Sequence, residues 1–439
     1  MHVGLKIGTW GGRTGVKRRN QWVLFAILLL ALINLSPSKQ STLVRNQEGA
    51  APEPVSLPSQ KTVQEPAHFR VAVQMNEVEF LRLQHMNYEY MNTHADQVEL
   101  VNLSSAESYD NLLQQFELGE SPDVLLLDNA WIRKFASSGH LMPAERYYSS
   151  PLTGEVLSVS LAQNEWNGYI WGVPFDTDPY VFVYNPNAIT ELGMQQPPKS
   201  ADEWETLLTA FRKQNRVPYL LAADFNEPYA ALSLLWQFGG NTATDSRPIF
   251  EISDGMQQGI QYLEEVRPYL LANIADAKAS TDIWKRMYDG EVVLSLARAS
   301  EVKHGQHPTM DVYLPDPGPS GKSMWIYGRS YVISSKSSHA EAAGLWIAEM
   351  SSLARQREWY EITGRLPVLK TLYFDFQRNK IPAWLPVSLV NSKSDALPIS
   401  SSLPEQMEQF TQASLKFVQG YIGTNQFMDE MTQIRSFDK

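Results

Sequence analysis

Between Phe69 and Leu127 the chain alternates three short apolar runs with two helical patterns, and few architectures bury such an alternation. Phe69–Val73, Val98–Leu103 and Val124–Leu127 predict strands covered on both faces. Glu77–Asn92 is predicted as a helix, with Phe80, Leu83 and Tyr88 among its apolar positions. Ser104-Ser105-Ala106-Glu107 has the form of a capping box, with the serine as cap and the glutamate reaching back. Tyr109, Leu112, Leu113 and Phe116 follow at helical spacing, and Gly119 is the expected stop. Strands of this kind, joined by helices, make an α/β fold built on a parallel sheet with right-handed crossovers. Two further capping boxes, Ser200–Glu203 and Ser338–Glu341, predict helices carrying Trp204, Leu207, Leu208 and Phe211, and Ala342, Ala343, Leu345 and Trp346. Ser330–Ser334 is predicted as another strand. At 439 residues the chain exceeds one ordinary core, so two domains are expected.

In open parallel sheets, ligands sit beyond the carboxyl ends of the strands. That rule singles out Gln74-Met75-Asn76-Glu77 after the first strand and Asp128-Asn129-Ala130-Trp131 after the third. Asn76, Glu77, Asp128 and Asn129 would supply hydrogen bonds there, and Trp131 a stacking face. Helix capping by Asn76 and Asp128 explains those two residues equally well, and the two roles are compatible.

The segment Trp171–Asn185 places a polar triplet, Asp176-Thr177-Asp178, between two apolar β-prone runs. Pro174 and Pro179 bracket the triplet, favour extended geometry before them and withhold backbone donors. The triplet therefore reads as an exposed extended joint, with Asp176 and Asp178 as ligand contacts where two domains meet.

The first fifty residues differ from the rest. Five basic side chains precede an apolar run from Trp22 to Leu35, and no acid occurs before Glu48. That is the order of a secretory signal, and the run is short for a spanning helix, which needs roughly 20 apolar residues. Residues 1–35 are expected to be a signal sequence or an N-terminal anchor, and residues 36–67 a flexible Ser/Pro/Gln/Thr-rich linker. With zero cysteines there is neither a lipid-modified cysteine nor a disulfide. The chain beyond residue 47 holds 30 of the 37 basic residues against all 48 acids, which argues against nucleic acid or an anionic membrane surface as partner.

Twelve Trp and nineteen Tyr are a heavy aromatic load without a nucleic-acid signature. Sugar rings pack axial hydrogens on aromatic faces, and their hydroxyls pair with carboxylates, amides and guanidinium groups. Trp131, Trp171, Tyr180, Trp236, Trp284, Trp325 and Tyr327 are read as lying in or near loops and as candidates for such stacking; burial in the core is the competing reading. Trp204 and Trp346 fall on helix stripes and read as core. His304 and His307 lack neighbouring cysteines and do not make a metal site. The chain carries no nucleophile elbow and no phosphate-cradling glycine loop, so it reads as a non-enzyme without cofactor or metal, with a glycoside-hydrolysing acid pair from Asp176, Asp178 or Glu77 as the rival reading.

Several blocks, taken in order, resemble bacterial extracellular solute-binding proteins of the maltose-binding-like, sugar-type branch of ABC transporters. They are Pro122–Asp128, Trp171–Asn185, Pro198–Trp204, Phe238–Gly240, Gly290–Leu294, Pro315–Ser351 and Thr363–Pro367. The resemblance implies a two-lobe fold of the type II periplasmic-binding-protein kind, with two or three crossovers. Carried over by position, the lobes are 68–177 plus 317–355 and 178–316 plus 356–439, with 316–325 at the second crossing. It further implies a monomer that holds a mono- or oligosaccharide between the lobes and presents it to ABC permease transmembrane subunits. Tyr327 and Arg329 would face the cleft, Arg329 gripping hydroxyls or a carboxylate or else pairing with a protein acid. A cationic ligand such as a polyamine, held by Asp128, Asp176 and Asp178, and a membrane-anchored sensor without transport are the alternatives. The family's usual lipid-bearing cysteine is missing, so the chain would be released or held by its N-terminal segment.

Overall fold

The computed structural model describes residues 66–104, 109–150, 152, 154–214, 216–239, 249–273, 277–305, 309–315, 325–374, 381–382, 384–385 and 399–435. The N-terminal segment, the linker to residue 65, Ser105–Glu107 of the first capping box, His307 and the 316–324 part of the second crossing lie outside the described residues. Among the described residues no helix is long and apolar enough to cross a membrane.

The strands are β1 (His68–Val73), β2 (Gln97–Asn102), β3 (Val124–Asp128), β4 (Glu165–Trp166), β5 (Tyr169–Ile170), β6 (Val173–Tyr184), β7 (Tyr219–Asp224), β8 (Leu270–Asn273), β9 (Val292–Arg298), β10 (Asp311–Tyr313), β11 (Ile326–Ile333) and β12 (Leu366–Pro367). The helices are α1 (Glu77–Thr93), α2 (Tyr109–Leu118), α3 (Asn129–Ser137), α4 (Ser158–Ala162), α5 (Pro186–Glu191), α6 (Ala201–Gln214) and α7 (Pro228–Gly239). They continue as α8 (Asp254–Val266), α9 (Ala277–Tyr288), α10 (Ala299–Gly305), α11 (Ala340–Met350), α12 (Leu353–Thr363), α13 (Leu403–Val418) and α14 (Thr424–Arg435).

The order β2-β1-β3-β11-β6-β9-β7-β8 is organised around one long strand. Residues 173–179 of β6 pair antiparallel with β11, and residues 180–184 pair antiparallel with β9. β1, β2 and β3 run parallel on one side, and β7, β8 and β9 run parallel on the other. The double burial expected of the strands is present in β3, but β2, at the sheet edge, buries only Val98 and leaves Gln97, Glu99 and Asn102 exposed. Val124 and Leu126 pack into one core with Phe69, Val71, Tyr331 and Trp346, whereas Leu125 and Leu127 pack into another with Phe116, Phe135 and Val332. A third core, around Trp204, Leu221, Trp236 and Phe410, serves the β7–β9 side. Trp359 and Val368 join the first core while Tyr360, Leu366 and Tyr373 join the third, so the 356–373 segment serves both sheet halves.

Local expectations need four corrections. Asp176-Thr177-Asp178 is extended but not exposed, since these residues are 1%, 0% and 0% accessible at the centre of β6. Pro174 and Pro179 both stand in the ladder opposite β11, Pro174 beside a register shift at Arg329/Ser330 and Pro179 opposite Ile326 at the start of β11. The helix predicted to be capped by Ser338 has His339 as its N-cap residue without a side-chain cap, and Ser337 Oγ accepts the His339 N–H at 3.1 Å. At α6, Ser200 Oγ does accept from Glu203 N at 3.2 Å, while the Glu203 carboxylate reaches Lys199 N, at 2.6 Å, rather than its cap residue. Leu345 and Tyr88, placed on apolar stripes, are 57% and 61% exposed.

Candidate functional site

A cavity of about 990 Å³ opens where the two sheet halves meet, at the carboxyl ends of β1, β2 and β9. Its first wall is Gln74–Glu79 and Asn102–Ser104, its second is Arg298, Ser300 and Glu301, and its floor is Tyr327, Arg329, Thr363 and Arg365. The antiparallel direction of β11 brings Tyr327 and Arg329, near its start, to the same edge as the ends of the parallel strands.

The first wall is built by helix capping. Asn76 Oδ1 accepts from Glu79 N at 2.9 Å, which fixes the first turn of α1 and turns Glu79 inward, to 3% exposure. Glu79 is the buried acid between two arginines: Arg329 Nη1 donates to Oε2 at 2.9 Å, and Arg365 Nε donates to Oε1. Burial works against its ionisation, but the two guanidinium groups prevail and hold the carboxyl at about 2. Arg329 also grips Asp176 through Nε at 3.2 Å and Nη2 at 2.5 Å, and Trp359 Nε1 donates to the same carboxylate at 3.0 Å. Asp178 takes Arg365 Nη1 at 3.2 Å, Ser300 N at 2.8 Å and Ser300 Oγ at 2.6 Å. Burial pushes its carboxyl up, against the pull of Arg365 and Arg298. On the second wall Arg298 pairs with Glu227, and Glu301 accepts the Arg298 N–H at 3.2 Å. The guanidinium groups of Arg298 and Arg365 lie 5.5 and 5.6 Å from the Tyr327 ring centroid.

Of the residues singled out in the sequence, Asn76, Glu77, Tyr327 and Arg329 line the cavity. Asp176 and Asp178 lie behind its floor, neutralised by Arg329 and Arg365. Asp128 caps α3, accepting from Ala130 N at 2.9 Å, and takes the Tyr229 hydroxyl at 2.8 Å; burial raises its carboxyl to about 6 against these donors. Asn129 is 1% exposed between Gln163, at 2.9 Å, and Ser330, at 2.6 Å. Gly328 makes room for it, because a Cβ there would stand 2.7 Å from the Asn129 amide nitrogen. Trp131 packs edge-on to Tyr109 at 5.7 Å, away from the cavity lining. Trp171 stays with the β4–β5 hairpin, its Nε1 donating to Trp166 O at 2.9 Å. The loop placement of three further aromatics is corrected: Trp236 is 1% exposed within α7, Trp284 stands in α9 against the third core, and Tyr180 is 3% exposed in β6. Trp325 is 1% exposed and stacked on Tyr229, with centroids 4.5 Å apart and planes at 5°.

Sequence reasoning misses Glu79, Arg298, Ser300, Glu301 and Arg365, which also line the cavity. The strand-end rule that selected 74–77 applies equally to Arg298–Glu301 after the apolar run 292–297, so that signal was present. Glu79 resembles an ordinary first-turn helix acid, and only the fold brings the arginines to it.

The family model described as bacterial extracellular solute-binding protein matches residues 87–382. The chain is 24% identical over 260 residues to the maltotriose-binding protein of Pyrococcus abyssi (strain GE5 / Orsay). That match covers 58% of this chain and 54% of the relative, so it spans about half the relative's length. Among solved structures, the GacH receptor of Streptomyces glaucescens GLA.O superposes with a TM-score of 0.67 at 18% identity, covering 85% of this chain and 97% of that one. The sugar-binding protein MalE from Xanthomonas citri gives 0.66 at 19% identity, with 84% and 96% covered. The chain shares with these neighbours the two-lobe, type II periplasmic-binding-protein fold, and in this chain β12 pairs with β6 at Asp176 and Thr177. The family match spans well over half of the sequence, and the chain belongs to the bacterial extracellular solute-binding proteins.

Proposed function

We propose that this chain captures a small neutral saccharide, a mono- or oligosaccharide, in the junction cavity and hands it to the transmembrane subunits of an ABC permease. The lining carries this reading. It combines amides, hydroxyls and the Tyr327 ring with three arginines that are each already held by carboxylates. Such a surface offers directional hydrogen bonds and a stacking face, with its arginines already neutralised and Glu77 a further acceptor at the rim, which suits hydroxyl-rich ligands. A polyamine would need Asp128, Asp176 and Asp178, and each of these is engaged by the protein. The volume stands at the upper end of the about 300–1,000 Å³ common for small-molecule sites and leaves room for more than one ring. The Pyrococcus abyssi relative is a maltotriose-binding protein, and the GacH receptor was solved with acarbose, so saccharide chemistry has precedent on this fold.

The family consists of carriers that act outside the cytoplasmic membrane, so the chain binds and releases rather than converts. We assign the lobes as 68–177 plus 317–355 and 178–316 plus 356–439, with 356–373 packing against both. Hinge motion about β6 would open and close the cavity. Residues 1–35 serve as signal or tether, and the chain acts as a monomer. A thermal-shift titration tests the ligand class. Maltose and maltotriose are expected to raise the melting temperature saturably, since ligand at 100 times Kd stabilises by about 2.7 kcal/mol. A rise with spermidine alone, or with no saccharide, would overturn the assignment.

A further inference from the structure

An unbroken run of ionic and hydrogen-bonded contacts crosses the floor of the cavity from wall to wall. It begins at Glu79 on the first wall, passes through Arg365 and Asp178, and ends at Ser300 on the second. Glu79, Arg365 and Asp178 are 3%, 7% and 0% exposed. Arg365 belongs to neither wall. It follows Gly364, whose φ of 77° closes α12, and precedes the short strand β12 that pairs with β6 at Asp176 and Thr177. One guanidinium therefore holds Glu79 of the first wall and Asp178 of β6, which in turn accepts from Ser300 of the second wall, and its donors are a fixed distance apart because the group is planar and rigid.

Displacing either wall would leave one buried carboxylate short of its partner. Glu79 would retain Arg329, but Asp178 would retain only Ser300. The contact lies beside the point where β6 changes partners, so a small change of spacing there becomes a larger one at the cavity mouth.

We propose that Arg365 is a positioning residue that sets the separation of the two cavity walls, and with it the width offered to the solute. The consequence for solute width rests on the junction cavity being the capture site.

The chain contains no cysteine, so a pair of introduced cysteines can be spin-labelled cleanly. Leu81 in α1 and Tyr421 after α13 are 58% and 76% exposed, one on each half, and suit Leu81→Cys and Tyr421→Cys. Dipolar distance measurement on the solute-free protein should give one narrow distribution in the otherwise native chain. Arg365→Met combined with Asp178→Asn removes the tie without leaving an unpaired Asp178 carboxylate, and should at least double the width. Ser300→Ala removes a single contact and should widen the distribution less, which provides a reading even where the double variant folds poorly. Arg365→Lys should fall between native and double variant. Native width in both the double variant and Ser300→Ala would overturn the proposal, as would full restoration by lysine. No solute enters this measurement, so its failure counts against the tie alone, whereas a native chain that binds no saccharide counts against the functional reading alone.

Discussion

Two neighbouring strand ends, Asn76–Glu79 after β1 and Asp128–Trp131 after β3, begin with the same sequence logic and finish differently. Each starts a helix with a capping side chain at the carboxyl edge of the same sheet half. The first opens on the cavity, with Asn76, Glu77 and Glu79 in its wall. The second is closed over: Tyr229, from the other half, takes the Asp128 carboxylate, and Gln163 and Ser330 take both ends of the Asn129 amide. The edge of a sheet therefore marks where a site can be. Which part of the edge stays open depends on what the other half places against it.

The largest expected difference between the two ends is in stability. Glu79→Ala leaves Arg329 hydrogen-bonded to Asp176 alone and Arg365 to Asp178 alone, and breaking a buried ion pair from one side costs about 3–5 kcal/mol. Asp128→Ala removes a cap and leaves one tyrosine hydroxyl unpaired, a loss of about 1–3 kcal/mol. Urea unfolding of both variants measures the contrast, and equal losses would erase it.

Acidity separates the two carboxylates by sign. Glu79 titrates at about 2 in the fold against an ordinary 4.5, so the unfolded chain binds more protons between those values. Its stabilisation is complete above 4.5 and is lost as pH falls toward 2, by about 3 kcal/mol at 1.36 kcal/mol per unit. Asp128 titrates at about 6 against an ordinary 3.8, so there the native chain binds more protons. Stability falls as pH rises from about 4 to about 6 and is level above, by roughly 1–2 kcal/mol after allowance for partial solvent screening. Denaturation midpoints across pH should lose the acid-side slope in Glu79→Gln and the slope between 4 and 6 in Asp128→Asn. The same slope change in both variants would contradict the opposed environments described here.

The same contrast shows what a sequence can and cannot disclose. Strand and helix positions in 69–127 follow from local periodicity, because burial on both faces leaves an apolar run and burial on one side leaves a stripe. The helix of Trp204 is legible for that reason. The ion network is not, because Glu79, Asp176, Asp178, Arg329 and Arg365 are scattered across nearly three hundred residues and meet only through long-range pairing of β6 with β11 and β12. Prolines on both sides of the triplet suggested exposure, since a central strand rarely carries them. A register shift and two guanidinium groups made burial feasible instead. The aromatics divide likewise: a stacking face and a core residue have the same composition, and Trp236, Trp284 and Trp325 belong with the core.

The smallest expected effects concern ligand affinity and decide whether the open end alone does the binding. Tyr327 faces the cavity between two guanidinium groups, and a stacked ring is worth about 0.5–1.5 kcal/mol, so Tyr327→Ala should weaken saccharide binding by roughly two- to twelvefold. Trp131→Ala should change affinity less than twofold while lowering the melting temperature, because its ring contacts Tyr109 and not the cavity. Isothermal titration of both variants with the saccharide that gives the largest thermal shift measures this. If Trp131→Ala lost as much affinity as Tyr327→Ala, the closed strand end would have to open onto the ligand during capture. The cavity outlined by Gln74–Glu79, Arg298–Glu301 and the Tyr327–Arg365 floor would then be only part of the site.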